Sequence, residues 1–149
     1  MPVPSIAQQI MTGRKRRASR RSVAEDTVHE AILSYLRWSL PRGAAANLHH
    51  ARNEGALRSE RIRSAALGTK PGWPDIEWFG RMDDDRPYSA FIEVKAPGED
   101  PEPHQERCHD ALADAGCFVG VARSIEEARE LIASWRLPSN DSLIVRREA

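Results

Sequence analysis

Residues 72–79 read Gly72-Trp73-Pro74-Asp75-Ile76-Glu77-Trp78-Phe79, and residues 90–95 read Ala90-Phe91-Ile92-Glu93-Val94-Lys95. Ala90 to Val94 is apolar except for Glu93, the mark of a strand. Side chains alternate along a strand, so Glu93 and Lys95 share one face while Ile92 and Val94 share the other. A carboxylate and an ammonium therefore sit together on an otherwise core-like strand. Asp75 opens an apolar run of its own, and 17 residues separate it from Glu93. Paired as a hairpin, the two runs bring Asp75 near Glu93. Two converging carboxylates and a lysine suit phosphodiester chemistry with Mg²⁺ or Mn²⁺. Such hard cations take one or two carboxylates and fill the remaining positions with water and phosphate.

Working outward, Val28, Ile32 and Leu36 recur at four-residue spacing, which predicts a helix over 23–39 ended by Pro41-Arg42-Gly43. Asn47 to Asn53 is a weakly signalled first strand, and Arg52 to Ala66 is polar and Arg-rich without a clear period. Leu67 to Pro74 holds two glycines and two prolines, hence a shaped loop. Strands are expected at about 75–79 and 88–95, joined by Gly80 to Pro87 with its acidic tip Asp83-Asp84-Asp85. A helix is expected over 102–115 with Gly116 past its end, then a short strand from Cys117 to Val121. Ser124-Ile125-Glu126-Glu127 is a capping box that opens a helix reaching about Trp135. The last 14 residues carry no signal. The order helix, strand, strand, strand, helix, strand, helix packs naturally as a mixed sheet flanked by helices, an α/β fold.

A chain of 149 residues is long enough for one domain with its own core. No apolar run approaches 18 residues and no secretory signal opens the chain, so no membrane span and a cytoplasmic setting are expected. Cys108 and Cys117 are too few for a disulfide framework or a zinc site. The formal net charge of zero hides an asymmetry. Residues 1–22 hold six basic groups (Arg14, Lys15, Arg16, Arg17, Arg20, Arg21) and no acid, which leaves −6 on the rest. With two early prolines and no apolar period, this arm reads as disordered. A basic arm on an acidic body fits contact with a polyanion, and fits a merely solubilising tail as well.

Each candidate has a competing structural reading. Glu93 and Lys95 could form only a salt bridge, although a carboxylate on so apolar a strand is costly unless paired or metal-bound. Glu25 lies on the helical face of Val28, Ile32 and Leu36, as a functional acid or as a first-turn acid favoured by the helix dipole. Gln105 leads the 102–115 helix and can reach the sheet, or is an ordinary polar residue of the first turn. Arg52, Arg58, Arg61 and Arg63 suit phosphate contacts or a solvated face. The five histidines (His29, His49, His50, His104 and His109) show no metal-binding spacing, so ligation by histidine is not expected.

Taken in order, Gly68, Gly72, Pro74-Asp75, Glu93-Val94-Lys95 and Gln105 resemble the virus-type replication–repair nuclease (VRR-NUC) domain, a branch of the PD-(D/E)XK superfamily. The resemblance spans roughly residues 25–133 and includes Gly116 to Ser124 with the Glu-rich helix after it. It implies a restriction-endonuclease-like α-β-β-β-α-β core over residues 23–137, between the arm and a tail at 138–149. It also implies phosphodiester hydrolysis dependent on Mg²⁺ or Mn²⁺. On that resemblance Asp75, Glu93 and the Val94 carbonyl hold the metal, Lys95 orients the water, and Glu25 and Gln105 assist. The implied partner is DNA, structured or branched, in replication, recombination or repair of phage or bacterial type, with a homodimer as one arrangement. The alternative is a non-catalytic nucleic-acid-binding accessory protein with the same fold, or an α/β interaction domain.

Overall fold

The apolar stripe of Val28, Ile32 and Leu36 lies on helix α1 (Ile6–Ser39) and is the first wall of the core. A computed structural model of the chain describes residues 6–51 and 58–144. After α1 come the single turn α2 (Arg42–Ala45), β1 (His49–His50), α3 (Arg58–Ala66), β2 (Ile76–Arg81), β3 (Pro87–Val94), α4 (Pro103–Asp114), β4 (Phe118–Ala122) and α5 (Ile125–Ser134). The sheet order is β1-β2-β3-β4, with β1/β2 and β2/β3 antiparallel and β3/β4 parallel. This is a mixed sheet flanked by helices, of the restriction-endonuclease-like α/β class. Among the described residues no helix is long and apolar enough to cross a membrane.

Alternation sorts β2 and β3 into two chemically different faces. Ile76 and Trp78 point to one side with Ala90, Ile92 and Val94, and all five are fully buried. They meet Ile32 and Leu36 of α1, Leu40 just past its end, and Ala128 and Ile132 of α5 in one apolar cluster. The other face carries Glu77, Phe91, Glu93 and Lys95, and α4 sends side chains to it. Helix α5 begins as expected at Ser124, whose Oγ accepts from the Glu127 amide, while the Glu127 carboxylate accepts from the Arg123 amide.

Four expectations change. The helix expected over 23–39 begins at Ile6, so residues 6–22 of the expected disordered arm have helical backbone. That stretch has no proline and a single glycine among strong helix formers such as Ala, Gln, Arg and Lys. Within the described part of the strand expected over 47–53, only His49–His50 pairs as a strand, and residues 52–53 lie outside the described residues. Asn47 uses its side chain instead, donating to the Phe79 carbonyl at 2.8 Å and accepting the Phe79 amide at 2.6 Å, so an amide group stands in for a backbone partner. The segment without period contains α3; Arg52 lies outside the described residues. The expected tail at 138–149 packs onto the body as far as residue 144, because Asp141 and Ile144 are buried.

Candidate active site

The β2/β3 register pairs Ile76 with Ile92 and Glu77 with Phe91. One step back along β2 and forward along β3 sets Asp75 opposite Glu93, on the face away from the apolar cluster. The Asp75 side chain ties the two strands, since its Oδ2 accepts from the Val94 amide at 2.8 Å. Its main-chain carbonyl accepts from the Ala51 amide at 2.8 Å and from His50 Nδ1 at 2.9 Å. His50 Nδ1 therefore carries the proton, because a carbonyl can only accept. His29 of α1 packs edge-on against the His50 ring, with centroids 4.6 Å apart. Burial, then the charge on His50, lowers the His29 pKa.

Glu93 is 1% exposed yet carries three neighbours that bear on its charge. Lys95 Nζ lies 2.7 Å from Oε1, and Gln105 Nε2 donates to the same oxygen at 2.5 Å. His109 Nε2 stands 3.5 Å from Oε2. Both Oε2 and His109 Nε2 are buried without a hydrogen-bond partner.

The placement of Gln105 follows from local chemistry. Its Oε1 accepts the Glu102 amide at 2.9 Å, one half of the capping box that starts α4, and this directs its NH₂ toward Glu93. The reversed amide would set oxygen against carboxylate, so the orientation has one chemically sound solution. Gly72 brings the loop before Asp75 against this turn. Its φ is +80°, and a Cβ there would lie 2.7 Å from the His104 carbonyl and 3.0 Å from the Gln105 Cα. Only glycine allows both the backbone angle and the close approach.

The electrostatics follow from two acids facing each other. Burial, then the neighbouring Glu93 charge, pushes the Asp75 carboxyl up to about 7. The Val94 amide and Lys95 oppose that rise, and the charge on Glu25 adds to it. Glu25 is therefore within electrostatic reach of Asp75, half-buried on α1. Glu77, on the same face, is bonded by Trp73 Nε1 at 2.8 Å and lies 2.6 Å from His49 Nε2.

Among the described residues no group of three or more His, Cys, Asp or Glu side chains converges to hold a metal. The site nonetheless fits a hard cation that keeps most of its water. Its donors are oxygens, two acids oppose each other across one strand pair, and one oxygen of a buried acid lacks a partner. A cation beside them would favour the charged forms that their mutual repulsion disfavours.

The sequence-derived set is thus assembled in part. Asp75, Glu93, Val94, Lys95 and Gln105 are joined by direct contacts, and Glu25 is coupled through charge. Arg58 opens α3, while Arg14, Lys15, Arg16, Arg17, Arg20 and Arg21 lie along the N-terminal part of α1. His50 and His109 also reach this strand pair, outside the sequence-derived set. His109 had a signal, being four residues after Gln105 and so on its helical face. His50 had none, because its place depends on the β1/β2 pairing.

The fold and this strand pair define a chain of the restriction-endonuclease-like class. The VRR-NUC domain profile matches residues 14–126, more than half of the length. The chain belongs to the VRR-NUC domain family, a nuclease family. A solved structure described as a VRR_NUC domain protein is similar in fold, with a TM-score of 0.60 and 22% identity over 77% of this chain and 90% of that one. Comparison with curated proteins gives no match.

Proposed function

We propose that the protein is a divalent-metal-dependent DNA endonuclease acting on branched DNA of replication, recombination or repair. The observation that carries the chemistry is the opposition of Asp75 and Glu93 on adjacent strands. Lys95 is 2.7 Å from one Glu93 oxygen, and the other is buried without a hydrogen-bond partner. The preference for branched DNA rests on family resemblance alone.

In this reading Asp75, Glu93 and the Val94 carbonyl hold Mg²⁺ or Mn²⁺. A strand residue directs its amide and carbonyl toward the same neighbour. The Val94 amide meets Asp75, so its carbonyl belongs on that side too. The ion, when bound, lowers the pKa of water and offsets charge on the scissile phosphate. Lys95 orients the attacking water and stabilises charge that develops in the transition state. The water oxygen bonds to phosphorus as its proton passes to solvent, the phosphorus–oxygen bond to the departing nucleotide breaks, and the leaving oxygen takes up a proton from solvent to become a hydroxyl. Gln105 holds the Glu93 carboxylate, and Glu25 adds negative charge at the cation side. Arg58 and the basic residues of α1 contact phosphates. Cutting both strands of a duplex needs two such sites, which a homodimer would supply.

The test uses purified protein on supercoiled plasmid, flaps and four-way junctions with Mg²⁺ or Mn²⁺, beside Asp75→Ala and Lys95→Ala. Cleavage by the wild type and loss in both variants is expected. Cleavage undiminished in both would remove the site assignment, and binding without cleavage by the wild type would favour the accessory-protein reading.

A further inference from the structure

Gln105 and His109 stand one turn apart on α4, and both reach the same carboxylate. They address different oxygens. Gln105 and Lys95 converge on Glu93 Oε1 at 2.5 and 2.7 Å, whereas His109 Nε2 faces Oε2 at 3.5 Å. Both atoms of that second pair are buried and without a hydrogen-bond partner. Two orphaned polar atoms facing each other carry an unrelieved desolvation cost. A shift of about half an ångström closes them into an ordinary N–H···O bond.

We infer that His109 is a positioning residue for Glu93. Its Nε2–H donates to Oε2, and together with Gln105 and Lys95 on Oε1 it fixes the plane of the carboxylate. Each carboxylate oxygen has two lone-pair directions, so Oε2 can accept from His109 and still face a cation. Neither contact alone would do this. Gln105 and Lys95 meet at one oxygen, about which the other can swing, and the donor on the second oxygen removes that freedom. Ligating carboxylates are commonly held by such outer partners, whose loss costs roughly 10–100-fold in metal affinity. The inference rests on the metal-binding reading above.

The experiment measures Mn²⁺ binding by the full chain at one pH, from the electron paramagnetic resonance signal of free Mn²⁺, with no DNA present. Four proteins are compared: wild type, His109→Gln, His109→Met and Asp75→Ala. Gln sets an amide donor near the position of Nε2, while Met fills similar space with no donor. Thermal melts without metal, run beside the titrations, establish that each variant is folded. His109→Met is expected to weaken Mn²⁺ binding about 10–100-fold, and His109→Gln to stay within a few-fold of wild type. Wild-type affinity in His109→Met beside weak binding in Asp75→Ala would overturn the role of His109 alone. Equal weakening in the Gln and Met variants would also overturn it, since shape and not the donor would then matter. Absence of Mn²⁺ binding by the wild type would overturn the metal reading and this inference with it.

Discussion

Asp75 and Asp141 are both withdrawn from water, and their surroundings treat them in opposite ways. Asp141 is 2% exposed, and its Oδ2 receives Arg129 Nε at 2.7 Å and the Tyr35 hydroxyl at 2.8 Å. Its Oδ1 receives the Leu143 amide at 2.9 Å. Burial pushes its carboxyl up, but Arg129, the Leu143 amide and Tyr35 outweigh burial and hold it below the usual carboxylate range. Tyr35 responds in kind, pushed up to about 12 by burial and by its bond to Asp141. The Arg129 guanidinium also lies over the Tyr35 ring, 5.4 Å from its centre. Asp75 instead faces a second acid and is raised to about 7. A buried charge satisfied by the protein itself is a structural device. One left in conflict with its neighbours is the arrangement that the proposed metal site calls for.

The largest effect expected from breaking this contrast is on catalysis. Asp75→Ala should lower cleavage of a four-way junction with Mn²⁺ by about 10³-fold or more, since metal stabilisation of transition-state charge is worth several kcal/mol. Single-turnover rates at saturating protein measure it, and a loss under tenfold would remove Asp75 from the metal site.

The next effect lies in stability, with opposite signs at the two acids. Asp141→Asn leaves Arg129 without its buried partner and should cost about 3–5 kcal/mol, read from urea unfolding. Asp75→Asn removes a repelled acid and should leave the metal-free protein at least as stable as wild type at pH 8. Equal destabilisation by both substitutions would dissolve the distinction between the two carboxylates.

A subtler probe is the pH dependence of unfolding without metal. The folded Asp75 value of about 7 exceeds its ordinary 3.8, so the folded state binds the proton more tightly. Its contribution to stability is complete below about pH 4 and is lost as pH rises through 7. Asp141 is lowered, so its contribution is present above its ordinary value and is lost as pH falls through its folded value. Wild-type melts should fall from pH 5 to pH 8, Asp75→Asn should flatten that decline, and Mn²⁺ at pH 8 should restore part of it. A melting temperature indifferent to pH over this window, with or without Mn²⁺, would count against the two-acid conflict.

The smallest effect is expected far from either acid. Removing residues 1–22 should weaken DNA binding and make it less salt-dependent, by up to about five units of log–log slope for six lost phosphate contacts. An unchanged slope in salt-titrated binding would mean that the basic part of α1 does not touch DNA.

Much of this architecture is legible in the amino-acid sequence. The strands around Asp75 and Glu93, the helix carrying Gln105 and the N-cap at Ser124 all fall within a few residues of their expected places, although the Glu127 carboxylate accepts the Arg123 amide instead of closing the box on Ser124. Periodicity and caps are local signals, and these elements obey them. The departures lie where long-range partners override local signals. Asn47 replaces a strand partner with its side chain, and the Tyr35–Asp141 bond spans 106 residues. The stretch after Leu137 has no period to read, because its order comes from docking onto α1 and α5.

By itself, the amino-acid sequence determined the alternation that turns Glu93 and Lys95 to one face, the hairpin that brings Asp75 toward Glu93, and the shaped Gly- and Pro-rich loop before Asp75. These follow from strand geometry and backbone sterics, which act between near neighbours. Only the tertiary structure decided which carboxylate would be satisfied and which left in conflict. That outcome depends on Glu93, Val94 and Lys95 around Asp75 and on Arg129, Tyr35 and the Leu143 amide around Asp141, because hydrogen bonding and desolvation are set by what packing brings close.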